Sequence, residues 1–495
     1  MSVLSFIAKR YARSIRKTAD RTSARGVELQ QETFRKLMKS VAQTAFGKEH
    51  GLSENTTVTE FQQRVPVRDY EGLKSYFDRI ASGEAHVCWP GKPAYLAKTS
   101  GTTSGAKYIP ITKDSIPNHI NSARNALLEY IHTSGKADFL TGKLIFLSGS
   151  PTLTEKNGIL TGRLSGIVNH HVPAYLRRNQ MPSWETNCIE DWETKVNKIA
   201  SETISENMTL ISGIPPWMQM YFDILQDKKN GQTISEIFPN LQVLVYGGVN
   251  FAPYREKLFN SVGRRIDTVE LFPASEGFFA YQSDPNDPGM RLLVNEGIFY
   301  EFIPMASIHD PHPTRLTLAE VEVDVNYALV LSSNAGLWGY SIGDTIKFTS
   351  LNPFKVVVTG RVKHFISAFG EHVIAEEVEY ALMTTAADHR VAITEFTVAP
   401  QVNPSEGELP HHEWFIEFEE VPNNLEGFAA EVDERLQQKN VYYKDLIEGK
   451  ILRPLKITPV TKGGFIQYMK SQGKLGGQNK VPRLSNDRKI ADQLR

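Results

Sequence analysis

The segment Lys98-Thr-Ser-Gly-Thr-Thr-Ser-Gly-Ala-Lys107 gathers the groups that bind phosphate. Gly101 and Gly105 permit a tight turn whose amides converge on an anion, and Ser100, Thr102, Thr103 and Ser104 add hydroxyl donors. Lys98 and Lys107 add charge. The pattern is not that of P-loop nucleotide-binding proteins, which place four residues between their glycines and end on Gly-Lys-Ser/Thr. Tyr108-Ile-Pro-Ile-Thr112, which follows, reads as a strand rather than the helix that a P-loop opens into. The same composition also suits a polar surface hairpin, so the assignment depends on the company it keeps.

Four further motifs acquire meaning if the cradle holds a nucleoside triphosphate. Tyr246-Gly-Gly-Val249 ends an apolar run on two glycines, Gly247 and Gly248, where backbone can approach a flat base. Ala274-Ser275-Glu276 sets a carboxylate after a strand, where its oxygens could hold Mg2+ against the phosphates. Tyr340-Ser-Ile-Gly-Asp344 presents Asp344, a carboxylate able to accept both hydrogen bonds of a ribose diol. Arg361, after Gly360, offers a planar fork of donors to ribose or phosphate. Taken singly, each of these is equally an ordinary turn or a solvated side chain.

The elements that position these groups follow from periodicity. Leu241–Tyr246 and Ile266–Phe272 read as strands separated by a helix over Tyr254–Ser261, and further helix-then-strand pairs precede them over residues 115–225. Such alternation indicates an α/β layer with ligands at the carboxyl ends of the strands. Residues 291–350 carry short alternating runs that suit an antiparallel or barrel-like subdomain. From about residue 361 a new pattern begins. The expected organisation is a large N-terminal domain over 1–360 that binds nucleotide and substrate, with a small α+β domain over 361–495.

With 495 residues, the chain can build a large core. Its 55 basic and 56 acidic residues give a net charge of −1, which argues against a general nucleic-acid binder. Cys88 and Cys188 are the only cysteines, so neither a disulfide framework nor a cysteine metal site is supported, and a reducing, cytoplasmic setting fits. No apolar run approaches the roughly 18 residues of a membrane span, so stable membrane insertion is not expected. The first residues nonetheless read as an amphipathic helix, with Leu4, Ile7, Tyr11 and Ile15 as its apolar stripe among seven basic residues between Lys9 and Arg25. Two readings stand: a helix packed on the body by that stripe, and a membrane-surface or targeting element.

In this order and spacing the motifs resemble the adenylate-forming superfamily. Within it they resemble the Gretchen Hagen family of acyl-acid amido synthetases, known from auxin-responsive plant genes and from bacterial relatives; a bacterial member is expected. The C-terminal half carries much of the resemblance, in His411-His-Glu-Trp-Phe-Ile-Glu417, Asn440-Val-Tyr-Tyr443, Pro454-Leu-Lys-Ile457, Gly463-Gly-Phe465 and Gln478-Asn-Lys-Val-Pro-Arg483. The resemblance implies ATP and Mg2+ as cofactors, and a small carboxylic acid and an amino acid or other amine as partners. It places Ser100, Thr102 and Thr103 on the phosphates, Gly247, Gly248 and Val249 along the adenine, Glu276 on Mg2+ and Asp344 on the ribose. Lys480 would act as the mobile catalytic lysine, with Lys474 in a neighbouring basic loop as the competing candidate. Trp217 and Tyr175 could line an acyl pocket, or belong to the core. An acyl-CoA ligase would share the first half-reaction, and a nucleotide-binding regulator without turnover is a reading from another class.

Overall fold

The run Leu241–Tyr246 is apolar at nearly every position because its strand, Val243–Gly247, is covered on both faces. It lies within an eleven-stranded sheet, counted among the described residues. The computed structural model describes residues 3–494 apart from 103–104, 173–176, 249–250, 252–253, 309, 311, 363–364, 367, 372, 406 and 473–480; the side chains at 100–102, 105–106, 216, 365 and 374–376 also fall outside the description.

One half of the sheet is parallel. Val243–Gly247 pairs with Met208–Ser212 on one side and Asp267–Ala274 on the other, and Lys143–Phe146 and Gln180–Met181 extend the row. Helices Trp192–Thr203, Pro215–Lys228 and Arg255–Val262 connect or flank these strands, as the helix-strand alternation predicts. The other half is antiparallel, through Gly277–Gln282, Met290–Leu292, Phe354–Arg361, Leu337–Leu351, Asn326–Ser333 and Ile298–Pro304. The alternating runs expected to form a β subdomain are thus hydrogen-bonded into the same sheet. The join is the hairpin across Ala274 and Gly277, which reverses the chain at Ser275-Glu276.

The cradle belongs to a separate four-stranded sheet, in which Tyr95–Thr102 pairs antiparallel with Gly105–Ile111. The expectation of a strand after Lys107 holds. The register sets Lys107 opposite Thr99, with an irregularity between Thr99 and Thr102. Helix Tyr70–Ala81 packs beside it. Asp69 caps that helix by accepting the Gly72 amide at 3.2 Å, which fixes where the helix begins and hence where Tyr70 sits.

The last part of the chain forms the small α+β unit that the sequence predicts. Strands Ile393–Gln401, His411–Phe418 and Lys456–Pro459 make a three-stranded sheet, with helices Ala375–Asp388 and Leu425–Lys439 against it. Its core is continuous with the parallel half: Tyr246, Phe251 and Tyr254 share one buried cluster with Ile366, Phe369 and Trp414.

Candidate active site

The two sheets bring four of the expected side chains together. Asp344 and Arg361 are cross-strand partners in the antiparallel half, and their side chains form an ion pair between Nε and Oδ1. Gly343 adopts φ +84°, a conformation that glycine tolerates, and so presents Asp344 at a kink in its strand. Tyr340, wholly buried on the same strand, donates its hydroxyl to Glu276 Oε1 at 3.0 Å. The carboxylate at the sheet's reversal is thereby held against the strand that carries Asp344.

Lys107 completes the cluster from the cradle hairpin. Burial pushes its ammonium below the usual lysine range, opposed by Glu276, while Arg361 adds to the depression. Burial likewise pushes the Asp344 carboxyl up, with Arg361 opposing and Glu276 reinforcing the rise. The Lys107 ammonium lies over the Tyr70 ring at 5.8 Å, within electrostatic reach of Glu276 and Arg361 and also of Asp69 and Glu71. The segment before the Tyr70 helix ties the two sheets together: the Ser341 amide donates to the Arg68 carbonyl at 2.8 Å, and the Tyr108 amide donates to the Tyr70 hydroxyl at 3.0 Å.

The double-glycine turn lies at the carboxyl end of the neighbouring parallel strand. A Cβ on Gly247 would lie 2.4 Å from the Leu271 carbonyl oxygen, so only glycine fits there. Gly248 has φ +83° and faces Ile214 across an open approach. The Tyr246 ring is stacked on Phe251, 4.1 Å between centroids, within the buried core under the turn.

Ala274 and Ser275 are partly exposed beside Glu276. Ser100, Gly101, Thr102 and Gly105 are placed by their backbone in the hairpin. Thr103, Ser104, Tyr175, Val249, Lys474 and Lys480 lie outside the described residues. Trp217 packs its ring on Trp192 at 4.3 Å in the helical layer over the parallel strands. Its indole N–H is buried without a partner among the described residues.

Comparison with known proteins matches the chain to the GH3 family N-terminal domain over residues 16–190 and 164–265, the GH3 family central domain over 291–361 and the GH3 family C-terminal domain over 376–489. The chain belongs to the GH3 family. Among its GH3 relatives, the jasmonoyl-L-amino acid synthetase JAR4 of Nicotiana attenuata is 22% identical over 65% of this chain and 66% of its own length. The indole-3-acetic acid-amido synthetase GH3.3 of Arabidopsis thaliana is 24% identical over 94% of this chain and 90% of its own. A solved AtGH3.15 acyl acid amido synthetase in complex with 2,4-DB shares the fold, with a TM-score of 0.63 at 18% identity over 98% of this chain and 95% of that one.

Around the shared GH3 scaffold, the structure adds contacts that motif reading did not give. The Tyr442 hydroxyl, from the C-terminal unit, donates to the Lys98 carbonyl on the cradle strand at 3.2 Å. Arg163 pairs with Asp445 at 2.5 Å and lies over the Tyr442 ring at 5.1 Å. Lys195 is buried and donates to the carbonyls of Ser148 and Asn187 at 2.8 and 2.7 Å, holding the loop at the end of Lys143–Phe146; burial pulls its ammonium down to about 8. The Tyr442 and Arg163 contacts join residues hundreds of positions apart, so no local pattern signals them.

Proposed function

We propose that this GH3 protein is an ATP-dependent acyl-acid amido synthetase. In the first step a carboxylate oxygen attacks the α-phosphorus of ATP, an acyl–O–P bond forms, the α–β bridge breaks and pyrophosphate leaves. In the second an amino acid's amine attacks the acyl carbonyl, the C–O bond to AMP breaks and the ammonium proton is lost to give the amide. The observation that carries the reading is the convergence of Glu276, Asp344, Arg361 and Lys107 from four separate stretches, with a double-glycine turn at the carboxyl end of the neighbouring parallel strand.

In this reading Asp344 accepts the ribose hydroxyls, Arg361 keeps that carboxylate oriented and ionised, and Lys107 faces the triphosphate from the cradle. Backbone and hydroxyls of Ser100, Gly101, Thr102, Thr103, Ser104 and Gly105 surround the phosphates. Gly247, Gly248 and Val249 receive the adenine, with Ala274 and Ser275 at its edge. Glu276 has the oxygen chemistry that a hard cation prefers and would supply one ligand to Mg2+, whose role is to offset charge on the phosphates. Lys480, or Lys474 in its place, supplies the ammonium that balances charge at the α-phosphate. In this reading the domains divide near Arg361, and rotation of the unit over 361–495 between steps would part Tyr442 from Lys98 and Asp445 from Arg163.

Product analysis tests the assignment of acceptor. Incubation with ATP, Mg2+, a panel of carboxylic acids and either amino acids or coenzyme A is followed by mass spectrometry. Amide and AMP are expected; a thioester formed in place of the amide assigns the chain to acyl-CoA ligation instead.

A further inference from the structure

The helix Val3–Ala24 turns toward the body a face of small residues that lies about a quarter turn from its apolar stripe. Its buried residues are Ser5, Ala8, Ala12 and Ser23, small side chains that let it lie close along helix Ile116–Ser134. The Ser5 hydroxyl donates to Asp138 at 2.8 Å, and Arg16 reaches the buried Glu129 at 3.2 Å, which fixes the rotation of the helix about its axis. That rotation leaves the large apolar residues of the first turns outside, while Ile15 further along packs partly buried against the core. Val3 is 77% exposed, Phe6 55% and Ile7 57%, and Leu4 and Tyr11 are exposed with them.

The charges on the same helix are almost all of one sign. Arg10, Arg13, Lys17 and Arg21 are exposed on later turns, and the single acid, Asp20, is engaged by Arg16 and Arg291. An apolar tip followed by a basic stem matches a layer that is anionic outside and hydrocarbon beneath. A second copy meeting this face across a two-fold axis would set the same basic residues against one another. The helix is not long and apolar enough to cross a membrane, so the geometry is that of a surface element.

We propose that the N-terminal helix docks the protein on an anionic lipid surface. Val3, Leu4, Phe6, Ile7 and Tyr11 enter the boundary between headgroups and acyl chains, and Arg10, Arg13 and Lys17 bind lipid phosphates. The test is flotation of the full-length protein with vesicles of phosphatidylcholine alone or with added phosphatidylglycerol. Wild type is expected to float only with phosphatidylglycerol present and to be released by high salt. Arg10→Ala, Arg13→Ala and Lys17→Ala together should lower the partition coefficient by about a hundredfold. Phe6→Asp with Ile7→Asp should abolish flotation while leaving acid-dependent ATP turnover unchanged, which excludes misfolding. Failure of wild type to float with phosphatidylglycerol, equal flotation with both vesicles, or flotation that survives the Phe6/Ile7 replacement overturns the proposal. So does self-association in lipid-free buffer that the same replacement removes, which would assign the face to a second copy.

Discussion

Replacing Asp344 by asparagine separates the catalytic reading of this residue from a structural one, because the two predict opposite patterns. Asparagine keeps the shape and one accepting oxygen but removes the charge and the second strong acceptor for the ribose diol. A hydrogen bond to a charged group contributes about 1.5–3 kcal/mol. Losing one such bond and weakening the other costs about 2–4 kcal/mol, or roughly a 30- to 1000-fold fall in kcat/KM for ATP. Stability should behave otherwise. Burial already holds the Asp344 carboxyl above its ordinary value of 3.8 despite Arg361, so the native state binds that proton more tightly than the unfolded chain does. Ionisation of Asp344 therefore subtracts from stability as pH rises from 3.8 to the raised native value. Asp344→Asn escapes that loss. The Arg361 side chain left behind is 30% exposed and can hydrate, so the net change at neutral pH should stay within about 1 kcal/mol. Steady-state kinetics in ATP and a thermal melt are the assays. Unchanged kcat/KM would falsify the ribose assignment, and a melting temperature lowered by ten degrees or so with activity lost in parallel would make the ion pair structural.

Lys195→Met strands the buried carbonyls of Ser148 and Asn187 and should cost about 3 kcal/mol, read from the urea midpoint. Because the native ammonium titrates at about 8 against 10.5 when free, the unfolded chain holds more protons between those values; wild-type stability gains there as pH rises, and the variant lacks the gain. Gly247→Ala drives a Cβ against the Leu271 carbonyl at 2.4 Å, with about 1–3 kcal/mol of destabilisation and a raised KM for ATP; a neutral effect on both removes the turn from the site. Arg163→Ala releases Asp445 and the Tyr442 ring from the cradle side, at a stability cost below about 1 kcal/mol because the pair is half-exposed. It should alter the ratio of pyrophosphate exchange to amide formation, and an unaltered ratio denies this contact a part in gating.

How far the sequence alone led depended on the range of the interaction. The parallel strand around Leu241–Tyr246 was legible because a strand buried on both faces writes its burial as a continuous apolar run; Ile266–Phe272, only partly buried, was legible from its place after a helix. The strand after Lys107 was legible from β-branched residues, and it separated the cradle from a P-loop. Asp344 and Arg361 could each be named from its own motif, but their pairing depends on a strand register, and registers are set by partners distant in sequence. The Tyr340 contact with Glu276 spans 64 positions and the Tyr442 contact with Lys98 spans 344. No window of local sequence contains either. The first helix is the instructive case: periodicity located its apolar stripe, yet of that stripe Ile15 packs on the body while Leu4, Ile7 and Tyr11 stay exposed, because the adjoining face of Ala8 and Ala12 allows the closer approach to Ile116–Ser134.

Exchange of labelled pyrophosphate into ATP, dependent on an added carboxylic acid, tests the central claim most directly. The account predicts exchange by wild type with Mg2+ for at least one acid of an aromatic and aliphatic panel, without any amine present. It predicts loss of exchange in Glu276→Gln and in Lys480→Ala, with the lysine role moving if Lys474→Ala alone is silent. Exchange that needs no acid, or ATP binding with no exchange for any acid on the panel, would contradict it.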